Sequence, residues 1–329
     1  MLEHGGRLRA TARRYGIALS DWLDLSTGVA PYHPPLPAIT ACAWARLPEP
    51  DDALELAAQQ YYEARAVLPV AGSQAAIQAL PRLRQQARVG VLSPCYAEHA
   101  QSWQREGHRL VELGEAGVAD ALAQLDVLVV VNPNNPSGRL IAPQRLLQWH
   151  GALAARGGWL VVDEAFIDCT PQHSVAEHSH LPGLVVLRSF GKFFGLAGAR
   201  LGFVLAEAGL LRRLNELLGP WPVSGPTRLI GQALLIDRDA RQLQLQRLQR
   251  DGERLAGLLV RHGLPPQGGC ALFQWLATAD AARLHEHLAR LGILTRLFAQ
   301  PSSLRLGLPA EDGWVRLEQG LQSFREQHP

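Results

Sequence analysis

Leu187-Arg188-Ser189-Phe190-Gly191-Lys192-Phe193-Phe194-Gly195-Leu196-Ala197-Gly198-Ala199-Arg200-Leu201-Gly202 contains the only lysine of a 329-residue chain. Thirty-two lysines and arginines are present, and all but this one are arginine. A compositional bias toward arginine explains the replacement elsewhere, but it does not explain why one lysine was kept among three phenylalanines and four glycines. An apolar pocket desolvates an ammonium group and lowers its pKa, which makes a neutral amine available as a nucleophile. A solvated surface lysine fits that setting badly. Schiff-base chemistry at Lys192 fits it well.

Working outward, residues 184–187 and 201–205 flank the lysine as short apolar runs, and residues 89–92, 126–131 and 159–162 are of the same kind. They lack polar alternation, as strands buried on both faces do. Amphipathic segments at 98–106 and 144–156 lie between them. This is the pattern of an α/β fold with a mostly parallel sheet and right-handed crossovers. A long helical stretch over 227–261 follows, bent near Gly252. Residues 271–276, 293–296 and 303–306 then read as strands and 278–291 as a helix with Thr278 as N-cap, which makes a smaller α+β domain. The expected division is an N-terminal arm at 1–45, a large domain at 46–225 and a small C-terminal domain at 226–329.

Composition narrows the function. The chain is 47% hydrophobic and 19% charged, with a net charge of +2, so neither disorder nor a nucleic-acid surface is expected. No run approaches the ~18 apolar residues of a membrane span, and the N-terminal residues lack a signal-peptide core. A cytoplasmic enzyme is expected. Cys42, Cys95, Cys169 and Cys270 form no CxxC pair, and the 12 histidines make no HExxH. His285 and His287, two apart on a helix, diverge onto a solvated face, so no metal is expected.

Three further motifs follow strand candidates. Gly72-Ser73-Gln74 is a glycine turn opening a helix, suited to a phosphate. Neither the GxGxxG nor the P-loop spacing is present, which argues against dinucleotides and nucleoside triphosphates. The loop Asn132-Pro133-Asn134-Asn135-Pro136-Ser137-Gly138 presents Asn135 between two prolines. Asp163 ends an apolar strand, where a carboxylate is costly unless it meets a cation. One βα unit separates Asn135 from Asp163, and another separates Asp163 from Lys192. All four motifs therefore collect at the carboxyl edge of one parallel sheet. An amine for an aldehyde, a carboxylate for a ring nitrogen, an amide donor and an anion cradle are the requirements of pyridoxal 5′-phosphate.

On these motifs the chain resembles the class I/II aminotransferases of pyridoxal-phosphate fold type I over nearly its whole length. Within them it is closest to the threonine-phosphate decarboxylases of cobalamin biosynthesis, on His4-Gly5-Gly6, Asp24-Leu25-Ser26, Asp163-Glu164-Ala165-Phe166-Ile167-Asp168 and Pro220-Trp221-Pro222-Val223-Ser224. The resemblance implies that Lys192 is the Schiff-base lysine, Asp163 the partner of the ring nitrogen and Asn135 a donor to the ring hydroxyl. Gly72, Ser73, Gln74, Ser189 and Arg200 would hold the cofactor phosphate, and Tyr96 would stack on the ring. His4, Gly5, Gly28, Asn135, Arg296 and Arg305 are the substrate-binding candidates, with Arg305 on the carboxylate. Phe166 replaces a tyrosine of many aminotransferases, and Arg46-Leu47-Pro48 stands where an Arg-Tyr-Pro motif reaches a neighbouring subunit. The implied activity is decarboxylation of L-threonine O-3-phosphate to (R)-1-amino-2-propanol phosphate by a homodimer. The alternative is an aminotransferase such as histidinol-phosphate aminotransferase. A non-catalytic regulator ranks last, since only a short arm precedes the fold.

Overall fold

The computed structural model describes residues 4–50 and 52–327. The strands, in chain order, begin with β1 (Leu23–Asp24), β2 (Val67–Val70), β3 (Arg88–Leu92), β4 (Arg109–Leu113) and β5 (Val127–Val131). Then come β6 (Trp159–Asp163), β7 (Leu184–Ser189), β8 (Gly202–Leu205) and β9 (Gly268–Cys270). The last are β10 (Phe273–Ala277), β11 (Ile293–Leu294), β12 (Arg296–Phe298) and β13 (Ser303–Gly307). The chain forms two compact units. One comprises His33–Asn135 and Arg139–Gln244; the other comprises the described residues up to Tyr32, Pro136–Gly138 and the described residues from Leu245 onward.

The first unit is built on a seven-stranded sheet of order β2-β8-β7-β6-β5-β3-β4. β5 and β6 are buried at every residue, as expected of runs with no polar alternation. Each fully buried valine or leucine there contributes roughly 1.5–3 kcal/mol to folding. Only β8 runs against the others, pairing antiparallel with both β7 and β2. That reversal matters for function: the residues before β8 reach the same edge as the residues after β2 and β7. The carboxyl edge of the sheet therefore gathers loops from both directions. β2 carries Pro69 opposite Phe203, and its place at the sheet margin accommodates a residue that cannot donate to a second neighbour.

The second unit holds an antiparallel sheet of order β12-β13-β10-β9 and a parallel pair of β1 with β11. The helices Ala281–Arg290 and Gly313–Gln327 belong to it. So does the helix Leu8–Tyr15, whose Tyr15 hydroxyl donates to Glu286 at 2.6 Å.

Several expectations are corrected. The described part of the expected 1–45 arm is divided between the two units: residues 4–32 join the second, where β1 hydrogen-bonds to β11 and Tyr15 to Glu286, and residues from His33 onward join the first. The boundary expected at 225/226 falls instead at 244/245. The stretch 227–261 is two helices, Gly225–Ile236 and Arg238–Arg261. They part at Asp237, whose backbone is extended and whose side chain accepts the Ala240 N–H at 2.9 Å. Gly252 lies inside the second helix because any side chain there would meet the Ala271 backbone. The 293–296 strand is two short ones, with β11 paired to β1 and β12 to β13. Asp280 rather than Thr278 stands at the N-cap of Ala281–Arg290, and Thr278 receives the Asp280 N–H instead. His285 and His287 diverge as expected but are not solvated. His285 bonds Thr295 at 2.8 Å and His287 bonds Ser323 at 2.9 Å.

Candidate active site

The seven-stranded sheet brings the cofactor candidates to one edge. In register, Val131 lies beside Asp163 and Asp163 beside Leu187, while Ser189 lies beside Gly202 and Gly202 beside Val70. Asn135 follows β5 by four residues, Tyr96 follows β3 by four, and Lys192 follows β7 by three.

The phosphate candidates meet at a backbone cradle. Gly72 adopts φ +73°, a conformation natural to glycine. A Cβ on it would come within 2.7 Å of an Arg200 guanidinium nitrogen, and one on Gly202 within 2.5 Å of the Ser73 amide nitrogen. Two glycines thus leave room for an arginine and a backbone N–H beside the Ser73 turn. Arg200 itself takes φ +54° and donates to the Ala197 carbonyl at 3.1 Å, with its side chain exposed. A cation, backbone N–H groups and two serine hydroxyls on one edge are a donor set for a dianion.

Asp163 is 3% exposed, and a carboxylate so buried needs donors. One oxygen accepts the Ala165 N–H at 3.1 Å, and the other lies 2.8 Å from Nε2 of His99. His99, on the helix Glu98–Arg105, is itself 1% exposed. Sequence reasoning missed it. Its signal was its place three residues after Tyr96, which lets one turn of chain present both side chains to the same edge. The Tyr96 ring stands edge-on to His99 with centroids 6.2 Å apart. Burial, followed by Glu98 and Asp163, pushes the Tyr96 phenol up to about 12.

Lys192 is half-buried, with Nζ 5.5 Å from the centroid of the Phe166 ring. Phe190 and Phe194, nearly sealed from solvent, stack at 4.4 Å behind it. A second missed feature supports this end of the sheet. Arg188, 3% exposed, donates to Glu164 at 3.0 Å and to Asp168 at 2.7 Å. Glu164 also accepts from Ser174 and from the Val175 N–H, and Tyr61 donates to Asp168. The cluster ties the residue after Asp163 to the residue before Ser189. Burial opposes the Arg188 charge, but Asp168 and Glu164 outweigh it and hold the pKa above the ordinary arginine value.

The second unit gathers most of the substrate candidates separately. Arg305 of β13 lies opposite both Trp275 and Arg296. It donates to the Ser26 carbonyl at 3.0 Å, the same carbonyl against which Gly5 is placed. The Gly6 N–H donates to the Ser26 hydroxyl at 2.8 Å. Gly5 and Arg305 thus meet at Ser26, with His4 one residue away and Gly28 two residues along. Burial, with Arg296 adding to it against Cys270, pushes Arg305 down to about 10. Asn135 is the one substrate candidate that lies in the first unit. Among the described residues no group of His, Cys, Asp and Glu could hold a metal ion, and no helix is long and apolar enough to cross a membrane.

Residues 21–318 match the family model for class I and II aminotransferases. A threonine-phosphate decarboxylase of Pseudomonas aeruginosa is 63% identical over 327 residues, covering 99% of each chain. A threonine-phosphate decarboxylase of Sinorhizobium sp is 45% identical over 333 residues, covering 97% of each. The histidinol-phosphate aminotransferase of Sinorhizobium meliloti, solved with pyridoxal-5′-phosphate, shares the fold at a TM-score of 0.84 and 20% identity. That match covers 100% of this chain and 96% of the other.

Proposed function

The chain belongs to the class I and II aminotransferase family, and on that premise we propose that it is a pyridoxal 5′-phosphate-dependent carboxy-lyase acting on L-threonine O-3-phosphate. The product is (R)-1-amino-2-propanol phosphate, and the pathway is cobalamin biosynthesis. One observation carries the substrate: the full-length, 63% likeness to a threonine-phosphate decarboxylase. The donor set at the sheet edge supports the cofactor, since the Gly72–Arg200 cradle, the buried Asp163 and the only lysine match its phosphate, ring nitrogen and aldehyde.

When bound, pyridoxal phosphate supplies an electrophilic carbon for an amine and a ring that accepts electrons. Lys192 would hold the cofactor through Nζ, and its amine is the group on this edge that could carry a proton. Asp163 keeps a proton on the ring nitrogen, and His99 fixes the carboxylate in place. Arg200, Ser189 and the Ser73 turn take the cofactor phosphate, Tyr96 covers the ring, and Asn135 donates to its hydroxyl. Phe166 has no hydroxyl to give the ring hydroxyl a second hydrogen bond beside that of Asn135. Arg305 takes the substrate carboxylate in its planar fork. Arg296 and His4 would take the second anion, with Gly5, packed on the Ser26 carbonyl, and Gly28 beside them.

We further propose a homodimer in the cytoplasm. Trp44, Leu47 and Trp221 of the first unit are 69%, 63% and 56% exposed, apolar surface suited to a second copy. Sedimentation at micromolar concentration should give twice the monomer mass. The activity is tested by supplying the holoenzyme with L-threonine O-3-phosphate. CO₂ release without 2-oxoglutarate is expected; 2-oxoglutarate-dependent amino transfer with no CO₂ would make the chain an aminotransferase.

A further inference from the structure

Glu98 presents a difficulty. It sits in the first turn of the helix Glu98–Arg105, and its carboxylate lies 2.9 Å from Nε2 of Gln74, the residue after Ser73 in the turn that forms the anion cradle. A negative charge so close to a phosphate site opposes binding by simple Coulomb repulsion. Its hydrogen bonds give a reason for its presence. Gln74 Nε2 donates to Glu98, so Gln74 Oε1 points the other way and accepts from the Tyr96 hydroxyl at 3.1 Å. A carboxylate only accepts, so it fixes which end of the amide faces it. That in turn obliges Tyr96 to donate. The phenol, pushed up to about 12, keeps its proton at neutral pH.

We propose that Glu98 is a positioning residue: by pinning the Gln74 amide it holds Tyr96, so that the phosphate turn and the ring-covering face act as one rigid piece. Gln74, expected to bind phosphate, spends its side chain on this link and is left with its backbone N–H for the anion. The proposal rests on the pyridoxal phosphate reading. It predicts a contrast between two substitutions. Glu98→Leu removes the acceptor, frees the amide to turn over and leaves Tyr96 mobile. Glu98→Gln restores an acceptor and removes the charge that opposes phosphate.

The test measures cofactor dissociation constants and the visible circular dichroism of bound pyridoxal phosphate. Wild type, Glu98→Leu, Glu98→Gln and Gln74→Leu are compared, with thermal melts as the control for folding. Glu98→Leu is expected to raise the dissociation constant about fivefold, the worth of one hydrogen bond, and to weaken the dichroic band. Glu98→Gln should bind as tightly as wild type or more tightly, with the band intact. Gln74→Leu should repeat the Glu98→Leu result, and the double variant should add nothing to it. If the Leu and Gln variants of Glu98 behave alike, or if the Gln74 and Glu98 losses add, the link is overturned. If wild type itself binds no pyridoxal phosphate, the cofactor reading fails instead.

Discussion

Arg188 and Arg305 are both buried, yet their surroundings treat the charge in opposite ways. Arg188, under the carboxyl edge of the seven-stranded sheet, lies between Glu164 and Asp168 with the Tyr62 ring 4.4 Å from its guanidinium. Arg305, in the four-stranded sheet, lies across from another arginine, and burial pushes its pKa down to about 10. A matched buried charge is part of the fold. A buried charge that its surroundings suppress is suited to meeting an anion from outside. The Arg188 charge is thus balanced by carboxylates of the fold itself, whereas burial disfavours the charge of Arg305.

The contrast can be broken most forcefully at Arg188. Arg188→Met leaves Glu164 and Asp168 buried together, and losing one partner of a buried pair costs about 3–5 kcal/mol. Chemical denaturation should show that loss, and an unchanged midpoint would mean that the cluster does not support the edge. Asp163→Ala should slow turnover by roughly a hundredfold or more while cofactor affinity falls far less, because the Gly72–Arg200 cradle remains. Equal losses in rate and affinity would make Asp163 a binding group only.

Arg305→Met should lower kcat/KM for L-threonine O-3-phosphate about 10–100-fold, the worth of a charged hydrogen bond. The unliganded protein should lose far less stability than Arg188→Met does, the Ser26 hydrogen bond being the contact removed. The Arg305 pKa lies below the ordinary arginine value, so burying the charge works against folding at neutral pH, and stability returns only as pH rises through about 10. A fall in stability comparable to that of Arg188→Met would erase the contrast. The smallest effect concerns thiols. Burial pushes Cys95 up to about 12 and Cys270 up to about 11, so at pH 7 iodoacetamide should label exposed Cys42 first. Faster labelling of Cys95 or Cys270 would show that thiol to be more open than described.

The same contrast explains what could be read from the sequence. The strands β5, β6 and β7 were legible because a parallel sheet covered on both faces demands unbroken apolar runs, and the lone lysine marked which edge carried chemistry. β2 was signalled only by the Gly72 turn that follows it, since Pro69 reads as a strand breaker until its marginal position is known. The reversal of β8 was equally hidden, because apolar runs carry no direction. The break at Asp237 was masked by helical residues on both sides. Partners such as His99 with Asp163 are 64 residues apart in the chain, and no local pattern announces a contact that only the sheet creates. Cys270 beside Arg305 was hidden for the same reason.

The central claim is that Lys192, on the edge shared with Asp163 and the Gly72 turn, holds the cofactor. Borohydride reduction of the protein loaded with pyridoxal phosphate, followed by arginine-specific digestion and mass spectrometry, tests it directly. The account predicts a stable cofactor adduct on the peptide running from Ser189 to Arg200 and nowhere else. An adduct on another peptide, or reduction that leaves every peptide unmodified, would contradict it.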